Sequence, residues 1–119
     1  MPVTWSLLPG RRRAELVLVD PYTFTEWEQG MLAILDAFAV SEDLRLLIDR
    51  RTAVRPTSTF VACMVNFFRA HEARLAGTRA AILISEGSGT EPLADLRVGR
   101  FRMRTFLDAA EAAQWLHPG

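Results

Sequence analysis

Two short runs constrain this chain most. Leu46-Leu47-Ile48 and Ala80-Ala81-Ile82-Leu83-Ile84 are apolar at every position. Successive strand side chains point to opposite faces, so a strand with no polar face must be covered on both. A loop over Arg50 to Arg55 follows the first run. Gly77 precedes the second, and the flexible stretch Glu86-Gly87-Ser88-Gly89-Thr90 follows it. Two central strands of this kind require a sheet with helices packed on it.

The rest of the chain supplies those layers. Val3 to Leu8 alternates around Trp5 and reads as a strand. Pro9-Gly10 is a turn, and Arg11-Arg12-Arg13 stand at its tip. Ala14 to Val19 then forms the second arm of an antiparallel hairpin, with Ala14, Leu16 and Leu18 on one face. Thr23 with Glu26, or Thr25 with Glu28, makes a capping box. Trp27, Met31, Ile34, Leu35 and Phe38 recur at helical spacing, which predicts a helix over about Thr25 to Ala39. Gly30 within it implies close packing against a neighbour.

A second helix is predicted from about Ser58 to Leu75, with Phe60, Met64, Phe67, Phe68, His71 and Leu75 on one stripe. Pro56 suits its start. Glu91 to Arg97 reads as one or two helical turns. In the closing strand Phe101, Met103 and Thr105 share one face, and Arg102 and Arg104 the other. Asp108 caps a final Ala-rich helix ending in Trp115-Leu116. The expected fold is α/β: one domain over residues 1–119, with a mixed sheet of about five strands. It begins with an antiparallel hairpin and continues as parallel βα units. Leu46, Ile48, Phe67, Ala81, Leu83 and Trp115 are its expected buried residues.

Composition bounds the function. Fourteen basic residues balance fourteen acidic ones, all the basic residues are Arg, and half the chain is apolar. Zero net charge gives no bulk attraction to nucleic acid and favours self-association, hence a homodimer. The Arg-only, Ala-rich usage fits a GC-rich bacterial coding sequence. A single cysteine, Cys63, excludes an internal disulfide and fits a reducing cytoplasm. Met1 to Leu8 has no signal-peptide pattern, and no apolar run is long enough for a transmembrane segment.

The order of elements resembles the SpoIIAA-like fold of anti-sigma-factor antagonists and STAS domains, and is most similar to bacterial SpoIIAA-like proteins of poorly defined role. The resemblance rests on three landmarks: the strand Leu44-Arg45-Leu46-Leu47-Ile48-Asp49, the strand Arg79 to Ile84, and Arg104 to Leu116 at the end. It implies a non-catalytic domain that acts through a protein partner. Phosphorylatable STAS domains open the helix after the central strand with Asp-Ser-Ser/Thr-Gly. Here the segment is Thr57-Ser58-Thr59-Phe60. Thr57 replaces the Asp and Phe60 the Gly, so no phosphorylation of Ser58 or Thr59 is expected.

The residues themselves mark one place for chemistry. Arg50, Arg51 and Arg55 precede a helix whose first turn carries Ser58 and Thr59. Helix N-termini attract anions, arginines grip carboxylate or phosphate bidentately, and ligands of α/β sheets sit beyond the carboxyl ends of strands. A solvated basic loop with Thr57 or Ser58 as an ordinary N-cap is the plain alternative. Asp49 reads as a structural partner of Arg50 or a turn cap, His71 as a core or boundary histidine, and Cys63 as a small buried hydrophobe. Gly87-Ser88-Gly89 lacks the rest of a dinucleotide fingerprint. No nucleophile–base set, metal-ligand spacing or cofactor motif is visible. Two functions follow: a partner-binding domain, or a module for an anionic or lipid-like small molecule near the start of the second helix.

Overall fold

The computed structural model describes residues 3–8, 13–38, 44–53, 57–85 and 95–117. Six strands form one mixed sheet: β1 (Val3–Leu8), β2 (Arg13–Val19), β3 (Arg45–Thr52), β4 (Arg79–Leu83), β5 (Asp95–Val98) and β6 (Phe101–Phe106), in the order β1-β2-β3-β4-β6-β5. The β1–β2 and β5–β6 pairs are antiparallel, and β2, β3, β4 and β6 run parallel. The helices are α1 (Phe24–Ala37), α2 (Ser58–Ala70), α3 (Glu72–Leu75) and α4 (Ala109–Leu116). This is the expected α/β architecture with its N-terminal hairpin.

Helix α1 starts where the capping box demands. Thr23 accepts from the Glu26 N–H at 3.1 Å, and the Glu26 carboxylate accepts from the Thr23 N–H at 2.9 Å. Its stripe of Trp27, Met31, Ile34 and Leu35 is buried against Leu16, Leu18 and Ile48 of the sheet. A Cβ on Gly30 would stand 2.9 Å from Leu16 Cδ1 and 3.1 Å from Val3 Cγ1, so the close approach inferred there is real. Helix α2 adds Met64, Phe67 and Phe68 to the same core, and Trp27 meets Phe60, Phe67 and Phe68 edge to face.

The other sheet face is covered by α4. Ala112 and Leu116 are fully buried against Ala81, with Leu47, Phe106 and Trp115 at the margin. Two strand arginines hold the helix end. Arg45 Nε donates to the Leu116 carbonyl at 2.8 Å, and Arg79 donates to the Trp115 carbonyl at 3.0 Å. These carbonyls have no partner within the helix and lie at the negative end of its dipole.

Three expectations need correction. The sheet has a sixth strand, because Asp95 to Arg97 belong to β5 and not to helical turns. Leu96 and Val98 turn toward the core while Asp95 and Arg97 turn out, which is a strand period. The β5–β6 turn contains Gly99 at φ +58°, and a side chain there would collide with Glu72. The second helix is interrupted at His71, and α3 continues from it so that Leu75 reaches the core. Trp115 is half-buried, not buried, because its ring lies at the rim under Arg79 and Arg102. Leu46, Ile48, Phe67, Ala81 and Leu83 are buried as expected. The turn at Pro9-Gly10, Arg11, Arg12, Pro56 and the Gly87-Ser88-Gly89 stretch lie outside the described residues.

Leu116 carries most of the α4 contact, so Leu116→Ala is expected to lower stability by about 2–5 kcal/mol. Ending the chain after Leu107 should cost more, since it also uncovers Ala81 and Leu47. Urea denaturation measures both; an unchanged midpoint in either variant contradicts this account of the α4 layer.

Candidate functional site

The carboxyl end of β3 lies beside the start of α2. The β2–β3 register shifts there, with Val17 opposite Asp49 but Val19 opposite Thr52, so β3 carries one extra residue. Asp49 and Arg51 emerge at the surface, whereas Arg50 turns into the α1–α2 side and is only 5% exposed. Its Nε donates to the Tyr22 hydroxyl at 3.3 Å.

Arg50 forms part of the wall of a small apolar recess between the sheet and the helices. Leu18, Ile48 and Ile82 make the floor from three parallel strands, and Tyr22, Trp27 and Phe60 supply aromatic walls. Tyr22 and Phe24 both meet Phe60 edge to face at 5.6 Å. The recess lies between the sheet and helices α1 and α2, over the carboxyl-terminal halves of β2, β3 and β4. Its free volume of about 10 Å³ has room for no more than about one water molecule, so it is a gap in the packing and not an open ligand site.

Arg51 plays a different part. It grips Asp49 bidentately, Nε to Oδ1 at 3.1 Å and a terminal nitrogen to Oδ2 at 3.0 Å, and its own N–H also reaches Oδ1 at 3.1 Å. Asp49 therefore pairs with Arg51, not with Arg50. Burial pushes the Asp49 carboxyl up, but the Arg51 hydrogen bonds and charge outweigh it and hold the carboxyl below its ordinary 3.8. Arg51 is raised above its usual value, first by the hydrogen bonds to Asp49 and then by its charge.

Thr57 is the N-cap of α2, accepting from the Phe60 N–H at 3.1 Å. Ser58 and Thr59 are exposed in the first turn, and Arg55 lies outside the described residues. Of the residues singled out from sequence, only Arg50 enters the recess. Tyr22 and Phe60 had no place in the sequence-derived site. Their signal was weak: Tyr22 follows Asp20-Pro21, and Phe60 reads simply as a member of the α2 stripe. Cys63 is half-buried rather than buried, and His71 stacks on Phe67 at 4.4 Å as a boundary residue. Among the described residues, no three of His, Cys, Asp and Glu gather closely enough for a metal ion, and no helix is long and apolar enough to cross a membrane. Comparison with protein-family models, curated proteins and solved structures returned no significant match to this chain.

Arg50 and Arg51 should separate in stability measurements. Arg50→Ala removes a buried guanidinium and is expected to cost about 1–3 kcal/mol. Arg51→Ala is expected to cost no more than about 1 kcal/mol, because the pair is partly exposed. Equal midpoints for the two variants in urea would contradict the different placements.

The Asp49–Arg51 pair also fixes a pH dependence. The folded-state carboxyl titrates below 3.8. Its contribution is thus complete above that pH and is lost as pH falls through the folded value. Arg51→Gln should move the Asp49 titration upward in an NMR experiment; an unmoved titration would remove Arg51 as the cause.

Proposed function

We propose that this chain is a non-catalytic binding domain of the SpoIIAA/STAS kind, acting through protein contacts, and that its β1 edge pairs with a second copy. The observation that carries this reading is the contrast between the two edges of the sheet. At one edge β5 has four residues, with charged Asp95 and Arg97 turned outward. Short, charged edges resist pairing with another chain. At the other edge β1 has six residues, Val-Thr-Trp-Ser-Leu-Leu, with no charge and no proline. Trp5 is 40% and Leu7 41% exposed. An edge strand left unguarded in this way is a template for strand addition.

A second copy fits this edge best. Two β1 strands related by a two-fold axis pair antiparallel, and the same patch then serves both partners. A chain of zero net charge offers no bulk repulsion to oppose the pairing. A cytoplasmic setting accords with the lone cysteine.

A second reading is supported by Arg50. Its guanidinium is buried among aromatic side chains near the α2 N-terminus and could meet the head group of a small anion with an apolar tail if Tyr22 and Phe60 move apart, since the recess as it stands has room for about one water. This keeps the domain non-catalytic and changes its partner from a protein to a small molecule.

Sedimentation at rising protein concentration tests the first reading. The wild type is expected to dimerise, and Trp5→Lys with Leu7→Lys to stay monomeric with native circular dichroism. Ser6→Lys, at an exposed position on the same strand, provides the same test if the double variant does not fold. A wild type that remains monomeric throughout, or variants that dimerise equally well, would rule out the β1 edge as the interface.

A further inference from the structure

Five arginines stand abreast on the α4 face of the sheet. Arg13 of β2 faces Arg45 of β3, Arg45 faces Arg79 of β4, Arg79 faces Arg102 of β6, and Arg102 faces Arg97 of β5. Neighbouring strands lie about 4.8 Å apart, and like charges directly opposite one another are unfavourable. The row therefore needs compensating negative charge.

One end of the row finds it within the chain. Arg13 pairs with Glu15 at 3.2 Å. Arg45 donates to the Leu116 and Gly77 carbonyls, and Arg79 gives one terminal nitrogen to Trp115. The other end does not. Arg97 and Arg102 have no carboxylate within ion-pair distance among the described residues. Arg102 Nε, like Arg13 Nε at the far end of the row, is buried with no hydrogen-bond partner among the described residues, but Arg102 has no carboxylate partner such as the one Arg13 has in Glu15. Arg104, exposed on the same face, adds further positive charge, and Asp95 opposite it makes no ion pair among the described residues.

Trp115 organises this end. The guanidinium carbons of Arg79 and Arg102 lie 5.6 and 6.0 Å from the centre of its ring. A cation over an aromatic face is held in place, while its N–H groups stay available to an acceptor. The α4 dipole would repel an anion on the helix axis, but Arg45 and Arg79 already occupy its last carbonyls. The Arg102–Arg97 side is the part left for a ligand.

We propose that Arg79, Arg102 and Arg97 form a binding site for a polyphosphate anion. Three guanidiniums spread over three adjacent strands exceed what one carboxylate can satisfy. A chain of phosphates presents several charged oxygens along a line and matches bidentate donors placed side by side. The site lies at the opposite edge of the sheet from β1 and does not depend on how that edge is used.

Tryptophan fluorescence of the intact protein reads the site directly, because Trp115 touches two of the three arginines. Pyrophosphate and tripolyphosphate are expected to change the emission saturably, and sodium chloride at matched ionic strength is not. Arg102→Gln and Arg97→Gln should each weaken tripolyphosphate at least about tenfold. Arg69→Gln, on exposed α2 surface, should leave binding unchanged. Arg97 is exposed, so its variant carries the test if Arg102→Gln does not fold. ATP binding more tightly than tripolyphosphate supports the site and makes a nucleotide the source of the phosphate chain; equal binding supports it with the free chain as ligand. Absence of a saturable change in the wild type, or undiminished affinity in the Arg102 and Arg97 variants, would overturn the proposal.

Discussion

Everything in this fold depends on strands β3 and β4 being covered twice. Leu46, Ile48, Ala80 and Ile82 require one apolar layer, and Ala81 with Leu47 requires another. Helices α1 and α2, which connect successive parallel strands, lie together on the first face. Helix α4, which follows the last strand, supplies the second. The two layers are unequal: Trp27 and Phe68 anchor a broad aromatic core on one side, while Ala112, Leu116 and half-buried Trp115 make a narrow contact on the other.

That inequality gives the arginines their structural work. A short helix over a few strands buries little apolar area, so polar contacts at its end matter more. Arg45 and Arg79 provide them by donating to the last carbonyls of α4. Arg74 does the same for α1, donating to the Leu35 carbonyl and pairing with Asp36 at 3.3 Å. Arginine suits this use because one planar group can reach a carbonyl, a carboxylate and an aromatic face from a single stem. At Arg97 and Arg102 no such carboxylate partner is found among the described residues.

The two ends of the parallel strands thus have different characters. At the carboxyl ends the alternation of β3 turns Arg50 inward among aromatics and leaves Arg51 outside on Asp49. At the amino ends, arginines line up across the sheet. Arginines stand at both ends, but in different surroundings: a small apolar recess around Arg50, and a ladder of donors beside Trp115. The β1 edge, uncharged, is a third surface and suits a polypeptide.

Local pattern was enough for much of this. Alternation in Ala14 to Val19, the capping box at Thr23 and Glu26, the spacing of Trp27, Met31 and Ile34, and the apolar runs at Leu46 and Ala80 each reflect a short-range rule, and each element formed accordingly. Other features depend on neighbours distant in sequence. Four residues with one alternating pair were too short to separate strand from helical turn, and β5 is a strand because β6 lies beside it. Arg50 and Arg51 are adjacent and chemically identical; alternation in β3 puts Arg50 on the face of Leu46 and Ile48, but that this face is still covered at Arg50 depends on Tyr22, Trp27 and Phe60. The arginine row appears in sequence as scattered residues at 13, 45, 79, 97 and 102, and parallel register alone sets them abreast. The sequence by itself determined most of the strands and helices, β5 excepted, since hydrophobic period and capping act within a few residues. Which charged groups meet was decided only by the tertiary structure, because strand order and register bring together residues that the chain keeps far apart.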